Sequence, residues 1–324
     1  MKTAAGMLCL AGILSLGMGT TVFAEDGDSH YPVTITTYNY ENEPVEMTFE
    51  KAPEKVFAYA NSNIEELLAL GLGDKIVAAC GLDGDVREDL KDEFDKIQYM
   101  DTKPSKEEVV AMEPDFIAAW YSSFSDDWLS DVSFWQERDV NTYMSLNSSA
   151  KGPASEFPRT IEDEYEDILN LGKIFDCEDK AEEIVDQMKG EIDKVKEHVE
   201  GTDPLSVAVL EDEGDSFRVY GTETLGGNIP ETLGAELKLG AENSENVGAE
   251  DLIAADPDVL FMINYDGFMT ADEAIADITD NPAYASLSAV KNNKVFSVNL
   301  NEVYCSGVRT YDGIMTFAKA LYPD

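Results

Sequence analysis

Histidine, basic residues and cysteine are all scarce in this chain, and each shortage argues against a class of function. The histidines, His30 and His198, are too few for a three-histidine metal site, so capture of zinc or manganese by imidazoles is not expected. The 324 residues include 23 Lys and Arg against 66 Asp and Glu, which gives a formal net charge of −43. This negative charge repels nucleic-acid phosphates and anionic lipid headgroups, so neither is predicted as a partner.

Cysteine pairs and long hydrophobic runs are missing as well. Of the four cysteines, Cys80, Cys177 and Cys305 lie far apart in the chain and form no CxxC pair. The sequence therefore offers no cysteine metal or redox motif, and it predicts buried thiols instead. Outside the first 24 residues, no segment approaches the ~20 apolar residues that span a bilayer.

Residues 1–24 have the features of a secretory signal peptide. Lys2 precedes an apolar run, and Val22-Phe23-Ala24 forms the small-x-small pattern that signal peptidase cleaves. Cys9 lies inside that run, but the residues before it lack the small side chains of a lipoprotein cleavage box, so no lipid anchor is expected. The pattern predicts secretion across the cytoplasmic membrane, with the mature protein periplasmic or associated with the cell surface.

Short β-branched runs alternate with helical stretches, which predicts an α/β fold with largely parallel sheets. The predicted strands are residues 55–59, 75–79, 116–120, 206–210, 259–263 and 294–298. An internal repeat suggests two related lobes, since residues 107–117 align without gaps with residues 250–260 as helix, Pro-Asp junction and strand. Residues 63–68 and 228–233 form a second matching pair. Chance similarity between common α/β units is the alternative.

A single long helix is predicted between the two halves. Residues 179–200 carry apolar side chains at steps of three and four, and Gly201 and Pro204 follow them. At 1.5 Å per residue this helix would span ~33 Å, so it predicts a strut between lobes that move little; a core helix within one domain is the alternative. The predicted organisation is a signal peptide at 1–24, an N-terminal α/β lobe at 25–158, a helical connector at 159–200 and a C-terminal α/β lobe at 201–324.

Several individually weak motifs occur in a fixed order along the chain. They are residues 53–58 before the first strand, residues 67–77, the two Pro-Asp junctions, Asp179-Lys180-Ala181 at the start of the long helix, and residues 307–323. Together, from about residue 33 to 324, they resemble the solute-binding proteins of ABC importers for iron complexes and cobalamin. The resemblance implies two Rossmann-like lobes joined by a single long backbone helix, as in receptors for metal chelates. It also implies a monomer without intrinsic cofactor, resident metal or catalytic residues, which delivers its cargo to a permease dimer with its ATPase.

Parallel strands place the loops at their carboxyl ends along one edge of a sheet, where two facing lobes would form a ligand cleft. The candidate ligand residues at these positions are Tyr59, Asn61, Trp120, Tyr121, Phe124, Trp128, Tyr143 and Asn147 in the first lobe, and Tyr220, Tyr265, Phe268 and Tyr304 in the second. Aromatic side chains among Ser, Asp and Asn suit a bulky, partly apolar guest; core packing is the alternative for each of them. Arg309 is the candidate ligand cation, with a salt bridge to Asp312 as the alternative.

The scarcity of cations also bears on the cargo. A ferric tris-catecholate is highly anionic and needs several convergent cations, so a ferric hydroxamate, a corrinoid, or haem held through a tyrosine oxygen is favoured. The cargo stays open among hydroxamate, catecholate, haem and corrinoid. A chelatase-like enzyme or metallochaperone on the same α/β frame is the alternative function, although the chain has no nucleophile and histidine base in a recognisable pattern.

Glu107 and Glu250 occupy equivalent positions in the two copies of the repeat, each at the start of the short helix. A carboxylate there is stabilised by the helix dipole, which is sufficient reason for an acidic residue. The resemblance implies a further role, because the family uses glutamates at these positions to engage arginines on the two permease subunits. Glu108 is adjacent and is the alternative to Glu107.

Overall fold

All six predicted strands are present in the computed structural model, which describes residues 30–240, 246–265 and 267–323. The predicted signal peptide and Cys9 lie outside the described residues. None of the helices in the described ranges is long and apolar enough to cross a bilayer. The alternation of strands and helices confirms the α/β fold.

The first half of the chain folds around a five-stranded parallel sheet. Its elements are β1 (Val33–Tyr38), β2 (Pro44–Phe49), β3 (Val56–Tyr59), α1 (Asn61–Ala69), β4 (Ile76–Cys80), α2 (Lys91–Phe94), β5 (Tyr99–Met100), α3 (Lys106–Ala111), β6 (Phe116–Ala119), α4 (Val132–Gln136) and β7 (Asn141–Met144). The strand order is β5-β4-β3-β6-β7, and every neighbouring pair is parallel. A separate antiparallel hairpin of β1 and β2 contacts β7.

Two helices follow, and the second half forms a sheet of its own. Its elements are α5 (Ile161–Ile174), α6 (Glu178–Val199), β8 (Ser206–Asp212), β9 (Phe217–Val219), α7 (Leu225–Thr232), β10 (Glu236–Leu237), β11 (Asn246–Val247), α8 (Ala249–Ala255), β12 (Val259–Asn264), α9 (Ala271–Thr279), α10 (Ser288–Lys291), β13 (Val295–Asn299) and α11 (Thr310–Leu321). The strand order is β11-β9-β8-β12-β13, and β10 pairs with the first residues of β8. Strands β8, β12 and β13 are parallel, whereas β9 and β11 are antiparallel to their neighbours.

The internal repeat has the same local structure in both lobes. After α3, the Asp115 carboxylate accepts hydrogen bonds from the backbone N–H groups just before β3, the nearest at Lys55 (2.8 Å). After α8, Asp258 Oδ2 accepts from the backbone N–H and the hydroxyl of Ser206 at the start of β8 (3.0 and 2.7 Å). Each aspartate therefore joins two neighbouring strands at their amino ends.

The long helix is α6, and its bounds lie within one residue of the predicted ones at each end. Its buried side chains recur at steps of three and four, as an amphipathic helix requires: Ala181, Val185, Met188 and Ile192. They pack on α5 and α11, and one continuous hydrophobic core contains residues of both sheets together with α5 and α6. The chain from Tyr31 to Asp324 is accordingly one compact unit, and the boundaries at 158 and 200 stay a prediction.

We expect the two lobes to move little when cargo binds. A long helix that packs on α5 and α11, within a hydrophobic core that both sheets share, resists the large rotation that a flexible hinge allows. Small-angle X-ray scattering with and without cargo should give nearly the same radius of gyration. A marked contraction on cargo binding would contradict the rigid connection.

Candidate functional site

A pocket lies between the two sheets, where the segments after β7 and β13 meet β9 and the start of α7. Its wall includes Asn147, Arg159, Arg218, Tyr220, Tyr304 and Cys305. Its volume of about 170 Å³ is below the ~300–1,000 Å³ of ordinary ligand sites, so it would hold one end of a bulky guest. A wider groove of about 530 Å³ between α6 and α11 contains none of the predicted ligand residues.

Three of the predicted aromatic residues meet beside this pocket. The rings of Trp120 and Tyr304, which come from different lobes, lie edge to face with centroids 5.9 Å apart. Tyr59 also packs edge to face with Trp120, with centroids 6.4 Å apart. Trp120 Nε1 donates a hydrogen bond to Ser62 Oγ (2.9 Å), which fixes the indole ring. The lobes thus share an aromatic wall, in which the Tyr304 side chain is partly buried and 39% exposed.

Two arginines that the sequence did not single out as ligand residues lie in the pocket. The Arg159 guanidinium is nearly buried and donates to the carbonyl oxygen of Gly152 (2.6 Å) and to Ser149 Oγ (3.0 Å), and burial lowers its pKa. The Arg218 side chain is 46% exposed and lies 3.7 Å from a Glu211 carboxylate oxygen. Burial raises the pKa of Tyr304, and the positive charges of both guanidinium groups lower it in part.

Arg309, the predicted ligand cation, is paired within the protein. Its Nε and Nη2 donate to the two carboxylate oxygens of Glu65, each at 2.7 Å, and the Glu65 side chain is completely buried. Glu65 belongs to α1 in the first lobe, so this bidentate ion pair joins the two lobes. Arg309 is not part of the pocket wall. The geometry therefore favours Arg159 and Arg218 over Arg309 as ligand cations.

Five other predicted ligand residues of the first lobe make contacts within the protein and do not line the pocket. Tyr143 is a core residue whose hydroxyl donates to Asp167 Oδ1 (2.8 Å), and Asn61 is buried and accepts from the backbone N–H of Asp83 (2.7 Å). The Tyr121 hydroxyl donates to the carbonyl oxygen of Tyr40, and the two rings stack at 4.8 Å. Phe124 and Trp128 are buried in the core of the first lobe.

The remaining predicted aromatic residues belong to the second lobe. The ring of Tyr220 lines the pocket, while its hydroxyl donates to Glu211 Oε2 (2.8 Å) and so faces the protein. Tyr265 and Phe268 lie just after β12, with ring centroids 6.2 Å apart. The Phe268 side chain is 90% exposed, which places a large apolar surface in solvent at the carboxyl edge of this sheet.

The two repeated helices each carry an exposed glutamate at their second position. Glu107 and Glu250 are the second residues of α3 and α8, both are exposed, and neither carboxylate has a bonded partner within the described ranges. Glu108 differs, because its Oε2 accepts from the backbone N–H and hydroxyl of Ser105 (2.8 Å each), which lowers its pKa. Asp251 makes the corresponding backbone contact in α8. Glu107 and Glu250 are therefore the matched exposed pair.

Comparison with known proteins gives matches along nearly the whole chain. Residues 56–299 match the family model described as periplasmic binding protein. The chain is 25% identical over 336 residues to the uncharacterized ABC transporter substrate-binding lipoprotein YvrC of Bacillus subtilis, covering 100% of this chain and 99% of that protein. It is 24% identical to the petrobactin-binding protein YclQ of Bacillus subtilis, covering 79% and 78% of the two chains.

Among solved structures, the chain is similar to a periplasmic binding protein from Veillonella parvula. The two are 33% identical, and the TM-score is 0.84 with 90% of this chain and 92% of the other covered. A similarity of this extent includes both sheets and the helices between them.

Proposed function

The chain belongs to the periplasmic binding protein family, and we propose that it captures a ferric chelate outside the cytoplasm and delivers it to an ABC importer. The observation that carries this proposal is the pocket between the two sheets, where the Trp120–Tyr304 wall stands beside two guanidinium groups. The relative named for petrobactin and the relative named as an ABC transporter substrate-binding lipoprotein support the ligand class and the transport role. The proposed partners are a permease dimer with its ATPase.

The two pocket arginines favour an anionic chelate over the neutral cargo that the composition suggested. A guanidinium group binds a carboxylate or a similar pair of oxygens through two parallel hydrogen bonds. Arg218 is exposed enough to do so, whereas Arg159 is mostly engaged with the backbone and supplies charge. In a chain with a formal net charge of −43, two positive groups in one pocket attract an anion locally. Haem and corrinoids stay in the test as competing cargoes.

The aromatic residues would contact the less polar part of the chelate. Tyr304 lines the pocket, Trp120 packs on Tyr304 and Tyr59 packs on Trp120, while Tyr265 with Phe268 lies at the carboxyl edge of the second sheet. Because the pocket is small, the exposed ring of Phe268 is available to cover the part of a guest that extends beyond it. We propose these residues, rather than Tyr143, Tyr121 and Asn61, as the ligand contacts.

The variants Arg218→Ala and Tyr304→Ala should each weaken chelate binding at least tenfold, and about thirtyfold if they remove ~2 kcal/mol of binding free energy. Dissociation constants can be measured by quenching of the intrinsic tryptophan fluorescence, to which Trp120 contributes, with ferric citrate, a ferric hydroxamate, haem and cobalamin. Arg138→Ala is the matched control, because Arg138 is also partly exposed but packs on Phe134 in α4.

Unchanged affinity in both pocket variants would exclude this pocket as the cargo site. The same titrations distinguish binding from chemistry if the ligand is recovered and analysed. An intact chelate after long incubation agrees with a binding protein, whereas a released or exchanged metal would favour the chelatase-like alternative.

A further inference from the structure

Three carboxylates meet in the buried interior next to the pocket, and cargo binding does not account for them. Glu66 comes from α1, and Glu164 and Asp167 come from successive turns of α5. All three side chains are almost completely buried, and one oxygen from each lies within 4.8 Å of the other two. Asn147, a residue of the pocket wall, donates to Glu164 Oε1 at 2.6 Å.

Two of the three carboxylates are held by hydrogen-bond donors that suit an anion. Glu164 accepts from Asn147 Nδ2 and from the backbone N–H of Gly307 (2.5 Å), with a further backbone N–H nearby. Asp167 accepts from the hydroxyl of Tyr143 (2.8 Å) and from a backbone N–H. Donors of this kind favour the ionised form of a carboxylate. Glu164 and Asp167 are therefore each held by donors, although burial raises the pKa of both carboxyl groups, that of Glu164 to about 7.

Glu66 differs from its two neighbours in having no such donor. Its Oε1 is fully buried and has no hydrogen-bond partner among the residues that the structure describes. Gly307 packs directly against it, since a Cβ at that position would lie 2.8 Å from Oε1. Arg309, from the same segment, is paired with Glu65. An unpartnered buried carboxylate oxygen thus belongs to a cluster with two further carboxyl groups.

A cluster of this kind must take up either protons or a cation. Burial raises the pKa of Glu66 and of Asp167 well above the usual carboxyl range, and the neighbouring carboxylates add to both shifts. An ion at the centre of three oxygens that lie within 4.8 Å of one another is at most about 2.8 Å from each, near the 2.3–2.6 Å of calcium–oxygen bonds. Carboxylate oxygens are the ligands that hard divalent cations prefer.

We propose that Glu66, Glu164 and Asp167 bind one structural divalent cation, for which Ca²⁺ is the best fit. Calcium takes six to eight oxygen ligands in flexible geometry, and three carboxylates that each bind through both oxygens would supply six, whereas Mg²⁺ demands a near-ideal octahedron and usually keeps several waters. The ion would join α1 of the first lobe to α5, and through Glu164 to the Gly307 turn of the second lobe. The site stands independently of the proposed cargo. The sequence predicted no resident metal, because positions 66, 164 and 167 form no recognisable ligand motif.

The site can be tested by refolding the full chain from guanidinium and EDTA into buffer with or without millimolar Ca²⁺, Mg²⁺ or Mn²⁺. After dialysis, mass spectrometry of the metals should find about one divalent ion per chain. The bound ion should raise the midpoint of thermal unfolding by about 5 °C or more. Glu66→Gln should lose both the ion and the thermal shift, while Glu166→Gln, an exposed carboxylate on α5, should keep both.

Two results would overturn the proposal. One is a wild-type chain that retains none of the three ions after refolding and whose thermal midpoint they do not change. The other is equal retention by wild type and the Glu66→Gln variant. If Glu66→Gln fails to fold, the wild-type measurement decides the question, with Asp167→Asn as the second variant. Absence of any ion would mean that shared protons neutralise the cluster.

Discussion

Replacement of Arg309 by alanine is expected to lower the free energy of unfolding by about 3–5 kcal/mol, a large part of the stability of an ordinary domain. The reason is the burial of its ion-pair partner, Glu65. Glu65 is completely buried, and both of its oxygens accept hydrogen bonds from Arg309 at 2.7 Å. Without the guanidinium group, the Glu65 charge would be buried and uncompensated between the two lobes. Guanidinium denaturation followed by tryptophan fluorescence measures the loss.

The matched control removes both charges at once. A buried ion pair that is replaced by apolar residues of similar volume often costs little, so Arg309→Met with Glu65→Leu should recover most of the lost stability. Arg138→Ala, which removes a partly exposed arginine, should change stability by less than about 0.5 kcal/mol. A stable Arg309→Ala protein that has lost only cargo affinity would contradict the structural role and restore Arg309 as a ligand residue.

The strands that could be predicted are the ones with a strong local signal. β3, β4, β6, β8, β12 and β13 are buried runs rich in β-branched and small apolar residues, and periodicity and turn residues mark them. β5, β10 and β11 contain only two residues each, which is too short for any periodic pattern. The β1–β2 hairpin was missed for another reason. Its burial alternates, with Ile35, Met47 and Phe49 facing inward, so the period-two pattern was available in the sequence.

The sequence predicted which residues follow the carboxyl ends of strands, but not which of them line the pocket. Parallel strands have these ends at one edge of a sheet, and the rings of Tyr59, Trp120 and Tyr304 do lie near one another. Whether a side chain near a strand end faces the cleft or the core depends on pleat direction and on neighbours. Tyr143 points into the core for this reason.

The charged groups depended on contacts between residues far apart in the chain. Arg309 pairs with Glu65, 244 positions away, where the sequence suggested the nearby Asp312. Arg218 lies on β9, a short antiparallel strand that the sequence did not reveal, and Arg159 precedes α5 in the predicted connector. Long-range pairing of this kind follows from the completed fold, so a single sequence carries little sign of it.

The second large expected effect is a loss of cargo delivery when the two exposed glutamates, Glu107 and Glu250, are replaced. We propose that they bind arginines on the two permease subunits, because related helices in the two lobes present them at the same position. Glu107 is the better candidate than Glu108, because the Glu108 carboxylate is engaged in capping bonds with Ser105. Exposed ion pairs at the rim of an interface contribute mainly to association rate and register, and salt weakens them.

The Glu107→Ala, Glu250→Ala double variant is therefore expected to keep its cargo affinity and thermal midpoint but to lose nearly all delivery in an uptake assay with the reconstituted transporter. Both carboxylates are exposed and unpaired within the described residues, so folding does not depend on them. Glu182→Ala with Glu197→Ala, on the exposed face of α6, removes the same charge elsewhere and should leave uptake normal. Added salt should slow wild-type uptake, since it screens the docking charges. Normal uptake by the first double variant would contradict the docking role and leave the two glutamates as charges that stabilise their helix starts.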